Sequence, residues 1–102
     1  MSVFVSVEDQ EGEPLIDVFE LDRVHRRFPG SGGVCLRFVG ESEDASFNAL
    51  QAPLLTAELE GLSSLALDPA ERKELTRLLD LCRKHVGKRH EYIRFYGEAR
   101  PE

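Results

Sequence analysis

The sequence predicts an α+β domain: a two-layer, four-stranded, mainly antiparallel sheet with two helices on one face, in the order βββααβ. Three observations predict it. Segments that alternate apolar and polar residues lie toward both ends of the chain, and two leucine-rich segments of helical period follow one another between them. Gly, Pro and Asp/Asn clusters punctuate the joins. A chain of 102 residues without repeats or a linker reads as one domain, 1–102.

The elements follow in order. Residues 2–8 place Val3, Val5 and Val7 on one face and Phe4 and Ser6 on the other, the pattern of a strand. D-Q-E-G-E-P (9–14) is a polar turn, and L-I-D-V-F-E-L (15–21) reads as the second strand of a hairpin. The segment 34–39, V-C-L-R-F-V, reads as a third strand with Val34, Leu36 and Phe38 on one face, ended by Gly40. E-S-E-D-A-S is expected as a loop, with Ser46 capping a short turn and Phe47, Leu50 and Leu54 docking against the core. Pro53 fits the first turn of a helix to about residue 60 that carries Leu55, Leu59 and Leu62 on one face, with Gly61 as its stop.

The second helix has the clearest start. Asp68 is an N-cap, Pro69 stands at N1 and Glu71 at N3. Leu75, Leu78, Leu79, Cys82 and Val86 follow at helical spacing, Lys84, His85 and Lys88 suit the negative end of the helix dipole, and Gly87 suits C′. Residues 90–96, H-E-Y-I-R-F-Y, form the last strand, with Ile93 and Phe95 opposite Tyr92, Arg94 and Tyr96. Three meander strands run up, down and up, and an antiparallel helix pair returns the chain to the top. The last strand therefore runs antiparallel to the first and third.

Charge is unevenly distributed. Residues 1–68 hold 13 acids and 4 bases, and residues 69–102 hold 6 acids and 9 bases, for a total of −6. That balance disfavours non-specific nucleic-acid binding and suits a basic partner. The absence of a basic n-region, of a long apolar run and of a cysteine framework leads to the expectation of a soluble, cytoplasmic protein with Cys35 and Cys82 as reduced core thiols.

The segment R-V-H-R-R-F-P-G-S-G-G (23–33) breaks the acidic pattern, since the 22 residues before it hold seven acids and no base. Its glycines precede a predicted strand and no lysine follows them, so neither a phosphate loop nor a dinucleotide fingerprint is present. Arg23, Arg26 and Arg27 remain as a candidate anion contact beside His25. Cys82, His85 and His90, with Cys35, have the chemistry for a zinc set. Yet Cys82 lies on the leucine face and His85 suits a helix C-terminus, so no metal and no cofactor is expected. The carboxylate pairs fall in polar turns, away from any predicted pocket, and no catalytic set is assigned.

The candidate interaction surface is the outer sheet face. Alternation assigns it Phe4, Arg37, Tyr92, Arg94 and Tyr96, and tyrosine and arginine are enriched at binding hot spots. The stretches F-N-A-L-Q-A-P-L-L-T-A-E-L (Phe47 to Leu59) and Y-I-R-F-Y-G (Tyr92 to Gly97) resemble a pattern in short uncharacterised bacterial α+β proteins. The resemblance spans about half the chain and implies no activity or site residue.

The sequence thus leads to the expectation of a small non-enzymatic domain that binds another protein, an immunity-type neutraliser of a basic toxin or a regulatory protein being concrete forms. The alternatives are a homodimer formed through Tyr92, Arg94 and Tyr96, or a binder of a small anionic ligand at Arg23, Arg26 and Arg27. An enzyme ranks last.

Overall fold

Alternation in the first and last strands places two apolar rows side by side at the centre of the sheet. In a computed structural model, which describes residues 2–29, 32–40, 44–85 and 88–97, the elements are β1 (Val3–Glu8), β2 (Phe19–Leu21), β3 (Asp44–Phe47), α1 (Ala52–Leu62), α2 (Pro69–His85) and β4 (Tyr92–Gly97). Strand order is β2-β1-β4-β3, with every neighbouring pair antiparallel. The long strands β1 and β4 are therefore central, and the short β2 and β3 are the edges. The α+β class, the four antiparallel strands and the helix pair are as the sequence predicts.

Val3, Val5 and Val7 of β1, Ile93 and Phe95 of β4, Phe19 and Leu21 of β2 and Phe47 of β3 are all buried. They meet Leu55, Leu59 and Leu62 of α1 and Leu75, Leu78, Leu79 and Cys82 of α2 in one core. Phe47 meets Phe95 edge-on, at 5.9 Å between ring centroids. Each fully buried Leu or Val contributes ~1.5–3 kcal/mol relative to leaving it in water.

The helix starts are built by reciprocal caps. Asp68 Oδ1 accepts the Glu71 N–H at 2.8 Å, and Glu71 Oε1 accepts the Asp68 N–H at 3.0 Å, so the predicted capping box forms. The cap before α1 is Asn48, not Ser46. Its side-chain oxygen accepts the N–H of Leu50 and Gln51 at 3.0 and 3.1 Å, while Gln51 Oε1 accepts the Asn48 N–H at 2.9 Å. The Asn48 carbonyl already accepts the Ala52 N–H at 2.9 Å, so the helical spiral begins before Ala52. Gly61 lies within α1 and does not stop it. Val86 and Gly87, expected as core and C′ residues, fall outside the described residues, as do Gly30, Ser31, Glu41, Glu43 and 98–102.

Two predicted strands differ, for a common reason. Segment 34–39 is not extended. Its backbone curls into a 3-10 turn at Leu36–Phe38, and the third strand is instead Asp44–Phe47. Glu58 of α1 draws the N–H groups of Val34, Cys35 and Leu36 onto its carboxylate at 2.8, 3.1 and 2.9 Å. Successive N–H groups of a strand point in opposite directions, so three consecutive ones converge on one anion only if the chain curls. Glu74 of α2 does the same to Asp22, Arg23 and Val24, at 3.1, 3.1 and 2.9 Å. This clasp ends β2 at Leu21, and a 3-10 turn follows at Val24–Arg27. Residues 15–18 touch β1 through the Leu15 N–H on the Val7 carbonyl at 2.7 Å and the Pro14 bridge to Glu8, rather than through a full ladder.

Gly33 is required by the first clasp. Its φ is +68°, and a Cβ there would stand 2.9 Å from the Glu58 carboxylate. Glu58→Ala is expected to cost about 2 kcal/mol in denaturant unfolding, because it strands three backbone donors, two of them partly buried. Glu58→Gln keeps one acceptor oxygen and should cost about half as much. Gly33→Ala should match the alanine variant, and wild-type stability in it would refute the close approach.

Candidate functional site

Both helices pack on the face of Val5 and Phe95, so the opposite face carries the alternate residues. These are Phe4, Ser6 and Glu8 on β1, Tyr92, Arg94 and Tyr96 on β4, Asp44 and Ser46 on β3, and Glu20 on β2. Register decides what meets. Phe4 stands opposite Tyr96, and their rings stack with centroids 5.5 Å apart and planes 24° from parallel. Arg94 stands between Ser6 on one side and Ser46 on the other. These small neighbours leave room for the guanidinium to lie across the sheet.

The Arg94 fork is fully engaged. Nε donates to Asp44 Oδ1 at 2.9 Å and Nη2 to Asp44 Oδ2 at 2.6 Å. Nη1 donates to Glu8 Oε2 at 3.1 Å. The guanidinium carbon also lies 4.8 Å from the centroid of the Tyr96 ring. One side chain thereby ties edge strand β3 to β1 across β4. The Asp44 hydrogen bonds, reinforced by Glu8, raise the Arg94 pKa further above its ordinary value, so the charge is permanent. The Ser6 hydroxyl is buried beside this network with no hydrogen-bond partner among the described residues.

Arg37 does not belong to this face. It lies in the 3-10 turn of the clasped loop, exposed, with its guanidinium carbon 4.7 Å from the Phe38 ring centroid. Its expected place depended on a strand at 34–39, which the Glu58 clasp removes. The other predicted residues, Phe4, Tyr92, Arg94 and Tyr96, do share the outer face. All four are half-buried.

The three arginines of the basic segment do not converge. Arg27 forms a bidentate pair with Glu71, with Nε–Oε2 at 2.7 Å and Nη2–Oε1 at 3.1 Å. Arg23 and Arg26 line an open polar depression of about 420 Å³ with Ser2 and Asp22. The Ser2 hydroxyl bonds the carboxylates of both Glu20 and Asp22, and its bond to Asp22, followed by a hydrogen bond between Asp22 and Glu20, holds Asp22 below its ordinary pKa. An anion approaching Arg23 and Arg26 would therefore meet the Asp22 carboxylate as well.

The thiols are inert. Burial pushes Cys82 up to about 12, and burial together with Glu58 pushes Cys35 up to about 11. His85 Nδ1 bonds Glu91, and His90 bonds Gln10 from a left-handed backbone position, φ 67°. Among the described residues no three His, Cys, Asp or Glu side chains gather as a metal set, and no helix is long and apolar enough to cross a membrane.

Sequence reasoning misses Glu8 and Asp44 as the partners of Arg94, because Glu8 ends a strand whose neighbours the sequence does not give, and Asp44 stands in a segment read as a loop. It also misses Glu58 and Glu74. A carboxylate in the otherwise uncharged A-P-L-L-T-A-E-L is the one available signal for Glu58. Comparison with known proteins finds no matching family model, no matching curated protein and no matching solved structure.

Two outcomes are expected. Arg94→Lys should cost about 1–2 kcal/mol in unfolding, since a point charge cannot reproduce a fork shared by two carboxylates. Glu71 should supply acid-sensitive stability. Its hydrogen bonds from Arg27, and then from the Asp68 amide, hold it at about 2, below its ordinary 4.5. A depressed carboxyl stabilises fully above its unfolded-state value, and that contribution fades as pH falls from about 4.5 to about 2. Denaturation of wild type and Glu71→Gln across that window should show their difference shrinking with acid.

Proposed function

We propose that this chain is a non-enzymatic protein-binding domain that presents its outer sheet face to a basic protein surface. The observation that carries the reading is that both helices pack on the other face. No described element forms a layer over Phe4, Tyr92, Arg94 and Tyr96. The ring stack and the Arg94 fork hold these side chains in place before any partner arrives, which lowers the ordering cost of binding. Stacked aromatics and a laid-down arginine are the residue types that dominate interface energies.

Charge supports the choice of partner. On the described face Glu8, Glu20 and Asp44 outnumber Arg94, and Asp9, Glu11, Glu13 and Asp17 continue the acidic field along the hairpin. Such a field speeds encounter with a cationic surface, and the aromatic centre supplies holding energy. A cytosolic neutraliser of a basic toxin, or a regulator of a basic protein, has this chemistry. The anion-ligand alternative loses ground because Arg27 is already paired with Glu71 and the other two arginines share their depression with Asp22.

Cationic proteins retained by the immobilised chain at low salt should be titrated against purified variants. Phe4→Ala and Tyr96→Ala should each weaken binding by about 2 kcal/mol, roughly 30-fold, while Lys73→Ala on the helix side leaves it unchanged. Affinity should fall between about 50 and 500 mM salt. Retention that ignores both aromatics, or no cationic protein retained at all, would overturn the reading.

A further inference from the structure

One strip of the solvent face of α1 is apolar, which neither the fold nor the outer sheet face explains. Helical geometry sets Ala57 opposite the buried stripe of Leu55, Leu59 and Leu62 and turns Leu54 and Gly61 away from it on the same side. The Asn48 cap carries the same spiral back to Leu50. Leu50, Leu54, Ala57 and Gly61 thus repeat at steps of four, three and four residues, the spacing of a seam that packs against another helix. Leu50 and Leu54 do not dock against the core as their sequence suggests. They are 85% and 51% exposed, and Phe38 and Val34 on the loop clasped by Glu58 add 49% and 55% exposed apolar surface alongside.

Gly61 is a second anomaly. A glycine inside a helix is unfavourable relative to alanine, yet a Cβ at Gly61 would meet nothing among the described residues within 4 Å. Nothing within the described protomer requires a hole there.

We infer that α1 is the interface of a homodimer, packed antiparallel on α1 of a second copy about a two-fold axis. The seam is self-complementary in that sense alone. Its large residues lie in the first half and its small ones in the second, so antiparallel pairing sets Leu50 over Gly61 of the second copy and Leu54 over its Ala57. Parallel pairing would oppose leucine to leucine and leave a gap at the glycines. The macrodipoles also favour the antiparallel arrangement.

Charge permits it. The seam carries no ionisable group, Glu58 is held by its own loop, and Glu60 is paired with Arg83 at 2.9 Å. Two copies with a formal charge of −6 each repel elsewhere, so association requires such a neutral surface. The patch offers on the order of 1,000 Å² counted over both copies, the lower end for a specific interface, so the dimer is concentration-dependent. This face is separate from the outer sheet face and leaves it open.

Sedimentation and light scattering of the full chain from about 5 to 500 µM provide the test. The wild-type mass should climb from 11.5 kDa toward twice that value, and added salt should move the transition to lower concentration by screening the repulsion. Gly61→Leu should remain monomeric throughout while its melting temperature holds or rises, because a Cβ there meets nothing among the described residues within 4 Å. The swap Leu50→Ala with Gly61→Leu should recover at least part of the association. Tyr96→Ala should dimerise like wild type, which separates failure here from failure of the sheet-face reading. A wild-type monomer across the whole range, or a Gly61→Leu variant that dimerises normally, overturns the inference.

Discussion

Three consecutive amide protons converging on one glutamate is the constraint on which this architecture turns. It occurs twice, at Glu58 of α1 and at Glu74 of α2. Each clasp spends a helix carboxylate on backbone donors that no sheet ladder satisfies, and each anchors an irregular segment to the layer above the sheet. The Glu74 clasp ends β2 and turns the chain toward Arg27. The Glu58 clasp curls 34–38 along α1, so that β3 is supplied by the next acidic segment. Without them the apolar residues Val24, Cys35 and Leu36 would have no fixed route into the core, where all three are fully buried.

The acidic balance of the chain therefore has two parts. Glu58, Glu71, Glu74, Glu8 and Asp44 are committed to amides or arginines within the fold. Asp9 holds its own turn through the Glu11 and Glu13 amides, while Glu11, Glu13 and Asp17 face water and set the field around the outer sheet face. The arginines divide in the same way. Arg27 and Arg94 are structural anchors gripped by carboxylates, while Arg37 lies exposed beside Phe38. A residue type that looks like a ligand contact in the sequence is a tie between elements when its partner lies 44 or 50 positions away.

The two surfaces of interest differ in physical character. The outer sheet face is polar, aromatic and pre-ordered, with Arg94 held between Glu8 and Asp44 and a net acidic surround. The α1 seam is uncharged, smooth and divided into a large and a small half. On the two proposals salt should act in opposite senses, weakening attraction to a cationic surface and relieving repulsion between like-charged copies. Because they lie on different layers of the domain, occupation of one leaves the other free.

What the sequence determined by itself is local. Alternation of period two assigned Val3, Val5, Val7, Ile93 and Phe95 to the core and Phe4, Tyr92, Arg94 and Tyr96 to the opposite face, since side-chain direction in a strand follows from backbone geometry alone. The Asp68–Glu71 box set the start of α2 because its partners are three residues apart. What the tertiary structure decided depends on partners distant in the chain. V-C-L-R-F-V has the pattern of a strand, but a carboxylate 22 to 24 residues away outcompetes the ladder for its amides. D-A-S-F has the composition of a loop, but Arg94 stabilises it as an edge strand from 50 residues away. Leucines at 50 and 54 carry the pattern of core residues, and only the orientation of α1 against the sheet shows that they face outward.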